Sequence, residues 1–103
     1  MADFPQMLVT VVAPPALADA LIDWLLERPE TISGFTSVAA SGHGSSAASM
    51  SLAEQVAGHQ RRMLFLIHMP VERAGVFVED LGRAFSGSGL HWWMVPVADT
   101  GVL

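Results

Sequence analysis

The sequence predicts an α+β domain in which four strands form an antiparallel sheet and two helices cover one of its faces. Three observations carry that expectation. Short apolar runs rich in Val, Ile, Leu and Trp alternate with two segments whose apolar residues recur at helical spacing. Proline and glycine mark most of the boundaries between them. The chain has 103 residues, 51% hydrophobic and 15% charged, which suits one domain and excludes a disordered one.

Met7–Ala13 is apolar on both alternating sets and reads as a strand buried on both faces. Pro14 and Pro15 end it, and Pro15 suits the first helical position, where its missing N–H costs nothing. Leu17, Leu21, Trp24 and Leu25 then gather on one side of a helix, with Asp19, Asp23 and Glu27 on the other. That helix must stop before Pro29. Ile32–Ala40 is a weaker strand, with Phe35 and Val38 among small residues. Arg62–His68 is a third strand, ended by Pro70. Val71–Phe85 is a second helix through Ala74, Val78, Leu81 and Phe85. Gly75 and Gly82 each weaken it by about 1 kcal/mol relative to alanine, so packing must hold it. Ser86–Gly89 is a tight loop, and Leu90–Val97 is a fourth strand. The order β-α-β-β-α-β is that of the ferredoxin-like fold.

Between the second and third strands lies a polar, glycine- and serine-rich insertion, residues 41–61. Connections in compact domains are usually about 4–6 residues, and a loop this long is either functional or disordered. Within it, Ser51 and Glu54 have the capping-box spacing, which predicts a short helical turn over Leu52–Ala57 closed by Gly58. A chance match in a serine-rich segment is the alternative.

The two-faced strands carry a consequence. Strand one offers Leu8 and Val12 on one side and Met7, Val9 and Val11 on the other. Strand three sets Leu64 and Leu66 against Met63, Phe65 and Ile67, and Trp92 and Trp93 point opposite ways. Two helices cover one face only. The other would expose a larger apolar patch than a soluble monomer tolerates, so a closed homo-oligomer is expected.

Composition narrows the function. The net charge is −5, lysine is absent, and only Arg61 and Arg62 are adjacent among five arginines, which excludes a nucleic-acid footprint. No apolar run reaches the roughly 20 residues of a membrane span, so no membrane insertion is expected and the protein is placed in the cytoplasm. The lack of cysteine removes thiolate catalysis and disulfides. No nucleophile elbow, paired-carboxylate motif or Walker loop frames the polar residues, so no enzyme is expected.

Binding chemistry concentrates at the loops. His43 and His59 flank the long loop, where antiparallel strands would bring them together. Imidazole is the commonest metal ligand, and Met50 or Glu54 could add donors for Cu, Zn or Cd, with thioether favouring Cu(I). Two solvated loop histidines are the plainer reading. His68 and His91 lie in strands and read as packed or interface residues. Arg61 and Arg62 face opposite sides of a strand. One can reach an anion while the other pairs a carboxylate, or both can be charged gatekeepers beside an apolar strand. The backbone amides of Ser86–Gly89 can form an anion-binding nest.

These residues also carry a family likeness. Val9–Leu25 (VTVVAPPALADALIDWL) resembles the opening of PII signalling proteins: a strand, a proline-marked turn and a first helix. Ile32–Gly44 (ISGFTSVAASGHG) resembles that family's second strand running into its large T-loop. Gly87–Val97 (GSGLHWWMVPV) resembles the B-loop and fourth strand. SLAEQVAG followed by two arginines is most similar to a small PII-like branch often encoded beside heavy-metal RND efflux pumps.

The resemblance spans essentially the whole chain. It implies a homotrimer with sheets facing inward and ligand clefts between subunits, roofed by the T-loop. It implies an adenine nucleotide as ligand and a partner protein, such as a membrane transporter, engaged through that loop. Gly42, Gly44, Arg61, Arg62, Gly87, Ser88 and Gly89 are then the ligand-binding candidates, and His43 and His59 the candidates for a divalent or cuprous ion linked to efflux. The likeness has gaps. Leu90 stands where the family has a lysine after the B-loop, the tail lacks the family's basic residues, and no tyrosine is present for uridylylation.

Overall fold

A computed structural model of the chain describes residues 5–44 and 59–103. The elements are β1 (Gln6–Ala13), α1 (Pro15–Leu26), β2 (Phe35–Gly42), β3 (Gln60–Pro70), α2 (Val71–Ala84) and β4 (His91–Val97). The strands form one antiparallel sheet in the order β2-β3-β1-β4. This is the expected ferredoxin-like α+β arrangement.

Strand ends differ from expectation in one useful way. β2 starts at Phe35 and runs on through Ser41 and Gly42, which pair with Arg61 and Gln60 of β3. The ends of the expected 41–61 loop are therefore ladder. Cross-strand hydrogen bonds outweighed the small, polar side chains that made this segment read as loop, because β pairing depends on backbone groups every residue carries. Since Ala13 of β1 reaches only Met63, residues 60–62 pair with β2 alone and extend past the sheet as a two-stranded ribbon. The expected helical turn at Leu52–Ala57 lies outside the described residues.

Directly paired residues share a face of the sheet. On one face Val9, Val11 and Ala13 of β1 and Phe65, Ile67 and Met69 of β3 are fully buried. Ala18, Leu21 and Leu25 of α1 and Ala74, Phe77 and Leu81 of α2 close over them. Phe77 joins the core although it is not among the apolar positions singled out by spacing. Its ring packs against Trp24 at 5.6 Å, and Phe85 meets the same indole edge-on at 5.8 Å. This aromatic cluster locks the two helices together and offsets the weak propensity of Gly75 and Gly82.

α1 has a proline at its start and no side-chain cap. Its far end is closed by Arg28, whose guanidinium lies 3.6 Å from the Trp24 ring centre and donates to the Trp24 carbonyl at 2.7 Å. One side chain thus satisfies an orphan helix carbonyl and gains a cation–π contact. Arg73, at the start of α2, donates to the Glu30 carbonyl at 3.1 Å and ties the turn after α1 to the second helix.

The other face carries Leu8 and Val12 of β1, Val38 of β2, Leu64 and Leu66 of β3, and Trp93 and Val95 of β4. Thr10 sits at its centre between Leu66 and Trp93, and only 4% of its surface is exposed. At the rims Val38, Trp93 and Val95 are 42%, 42% and 44% exposed. As the alternating pattern predicts, both faces of the sheet are apolar, and among the described residues only one is covered by helices. None of the described helices is long and apolar enough to cross a membrane.

Phe65 is the largest side chain with no exposed surface. Phe65→Ala is expected to lower the unfolding free energy by about 3–5 kcal/mol in a urea titration, through lost burial and the cavity left under the helices.

Candidate functional site

The candidate residues fall into two groups at the same end of the sheet. The first is the β2–β3 ribbon. Gly42 pairs with Gln60, and the Arg62 side chain crosses its open Cα: a Cβ at Gly42 would stand 3.3 Å from Arg62 Cγ. Arg62 donates to the Arg61 carbonyl at 2.8 Å and to the Gln60 side-chain oxygen. Both acceptors are neutral, so they orient the guanidinium without cancelling its charge. Arg61 pairs with Ser41 and faces the opposite side, as strand alternation requires. Just beyond the ladder, the rings of His43 and His59 come to 5.9 Å between centres, tilted by 48°. The long loop does bring its two histidines together. Among the described residues no third His, Cys, Asp or Glu joins them in a metal-sized cluster.

The second group is the glycine loop between α2 and β4. Gly87 and Gly89 hold φ angles of 71° and 83°, left-handed values that a Cβ disfavours. The Ser88 amide donates to the Phe85 carbonyl at 3.1 Å, and the Leu90 amide donates to Ser88 Oγ at 3.3 Å. This winding opens a groove of about 270 Å³, lined by Leu81, Gly82, Phe85, Ser86, Gly87, Ser88, Gly89, Leu90 and Trp92. Trp92 and Phe85 belong to this groove and were not among the sequence candidates. An indole on a sheet face reads as core in a linear sequence, and only β4's position at the edge leaves it accessible.

One chain does not unite the two groups. β2 and β4 are opposite edges of the sheet, separated by three strand spacings, about 14 Å at roughly 4.8 Å each. Yet Val12 pairs with His91 and Ala13 with Met63, so the glycine loop and the ribbon project from the same end. Elsewhere, Arg83 and Asp80 form an ion pair at 2.8 Å on the exposed face of α2.

Residues 4–103 match the family model described as "Protein of unknown function (DUF3240)". The chain belongs to the DUF3240 family. A crystal structure of a DUF3240 protein from Shewanella baltica OS155 superposes with a TM-score of 0.77 at 20% identity, covering 96% of this chain and 97% of that one. CPII, a nitrogen regulatory PII-like protein from Thiomonas intermedia K12 bound to ADP, AMP and bicarbonate, gives 0.69 at 19% identity, covering 97% of this chain and 98% of its own. A Thermus thermophilus chain whose name places it with PII-like signalling proteins gives 0.65 at 20% identity, over 90% and 87%. No curated protein matches in sequence. This DUF3240 chain therefore has the fold of PII-like proteins.

The left-handed glycines make a sharp test of the loop. Gly89→Ala is expected to destabilise the protein by about 1–2 kcal/mol, while Gly34→Ala, at an ordinary φ with nothing within 4 Å of its Cβ, should lie near zero. Thermal denaturation of the two variants measures the difference.

Proposed function

We propose that this protein is a non-enzymatic, PII-like regulator that works as a ring of three copies in the cytoplasm. A small ligand, an adenine nucleotide, binds in clefts between subunits, and the long loop reports its presence to a partner protein such as a membrane transporter. The observation that carries this reading is the split of the candidate residues between the two edges of one sheet. A contact that sets the β2 edge of one copy against the β4 edge of the next joins Gly42, Gly44, Arg61 and Arg62 to Gly87, Ser88 and Gly89. Repeated head to tail with a three-fold rotation between copies, such a contact closes into a ring. The same packing covers the second apolar face, and the nucleotide-bound CPII structure supports the choice of ligand. The loop then works by population shift, since a ligand that touches its base in one state only favours that state.

Native mass spectrometry tests assembly and ligand together. The expected spectrum is a trimer that gains up to three AMP, ADP or ATP molecules. Trp93→Glu, which places a charge on the open sheet face, should shift the protein to monomers. A monomeric wild-type chain would sink this reading.

A second reading is favoured by the histidine pair. At metal–nitrogen distances of about 2.0–2.1 Å, two imidazoles on one ion place their ring centres about 5–6 Å apart. His43 and His59 stand at 5.9 Å. A divalent or cuprous ion held there, tied to heavy-metal efflux, would make the loop base itself the sensor. In isothermal titration with Zn²⁺, and with Cu⁺ under reducing conditions, the His43→Ala/His59→Ala double variant is expected to lose metal binding and keep nucleotide binding. Unchanged metal affinity in that variant would remove the histidines from any metal site.

A further inference from the structure

We infer that assembly of the ring is set by pH, through His68 and His91 on the open face of the sheet. Neutral imidazoles let that face be buried between copies, and their protonation in mildly acidic solution opens the ring. This rests on the ring of the regulator reading above and adds the condition under which that ring forms.

The strand register places both side chains. His68 pairs with Leu8 and His91 with Val12, so each shares the open face with the apolar residues beside it. The rings of His91 and Trp93 meet at 5.3 Å on that side. Both histidines are exposed within one chain, so water solvates them there in either charge state. Assembly removes that water, which penalises the charged form far more than the neutral one.

The surroundings give the imidazolium little to pair with. None of the four strands contains an aspartate or a glutamate. Besides His68, the charged residue that β3 brings to this face is Arg62, opposite Ala40. The residues of β1 and β2 on this face carry no charge. Off the sheet, Glu30 in the turn after α1 borders a cleft that His68 also lines. The helices pack on the other side of the sheet. A neighbouring copy in the ring presents the same face, and so brings imidazoles and a guanidinium but no strand carboxylate. In the proposed edge contact, the glycine loop of one copy meets Arg61 and Arg62 of the next. His91 follows that loop directly, so its protonation adds a cation to a seam that already holds two.

The direction follows from linkage. The ring buries neutral imidazole, while the free chain tolerates imidazolium. The ring therefore has its full stability above the imidazole range and loses it as the pH falls through that range. The His91–Trp93 contact and the Glu30 cleft lie within one chain and are available in both states, so they leave the sign unchanged. At pH 5.5, about one unit below an ordinary imidazole pKa, each histidine that must stay neutral raises the dissociation constant about tenfold. Each copy contributes both histidines, and even two such groups per ring give about a hundredfold.

Sedimentation velocity of the nucleotide-free protein at pH 7.5 and pH 5.5, with far-UV circular dichroism at both, tests this. The expected result is trimers at pH 7.5 and folded monomers at pH 5.5. The trimer dissociation constant should rise at least about a hundredfold and recover on return to pH 7.5. His68→Gln/His91→Gln, uncharged at both pH values, should change by less than about threefold. Should the double variant not assemble at pH 7.5, His91→Gln alone takes its place, with a pH response at least about tenfold smaller than wild type. A wild-type trimer equally stable at pH 5.5 would overturn the inference and leave the ring intact. So would a variant that responds to pH as wild type does, or a dissociation accompanied by unfolding. A wild-type protein that is monomeric at pH 7.5 would overturn both.

Discussion

The structure depends on the pairing of β1 with β3 at the centre of the sheet. Each of these strands has neighbours on both sides, so their backbones are satisfied, and each is apolar on both faces. Burying only one face of such a pair leaves Leu8, Val12, Leu64 and Leu66 without a covering layer among the described residues. At about 25 cal/mol per Å² of apolar surface, the uncovered side holds a driving force of the same kind that folds the covered one. The helices, the edges and the proposed ring all follow from how that pair is finished.

The helix layer finishes one side by aromatic packing rather than by helix propensity. α2 contains two glycines and α1 has no side-chain N-cap. Both are held by what they bury, with Trp24 at the junction. It packs on Phe77 and Phe85 with its ring and carries Arg28 on its face. Phe85 then does a second task. As the residue that ends α2, it forms a wall of the groove beside the glycine loop and accepts the Ser88 amide. Core packing and groove shape are therefore coupled through one side chain.

The chemistry of the two loop ends is unequal. The ribbon holds Arg61 and Arg62, with the histidine pair just beyond its ladder. The glycine loop holds an uncharged groove with an indole on its rim. In the proposed ring the two would come from neighbouring copies, which would give that assembly a reason beyond covering an apolar face.

Element order, helix limits and the two-faced character of the strands were legible in the sequence, because side-chain periodicity and proline positions act locally. The approach of His43 and His59 was legible too, since antiparallel strands on either side of a loop must converge at its base. The extension of β2 and β3 into a ribbon was not, because ladder hydrogen bonds come from the backbone and leave no mark in Ser41 or Gly42. Nor was the position of Trp92. Its neighbour Trp93 has the same residue type and the same exposure, and only the strand order and the position of α2 place one beside the glycine loop and the other on the open face. The sequence by itself determined which residues must leave water. The tertiary structure alone decided which of them, at an edge strand, stay exposed, because that depends on neighbours distant in the chain.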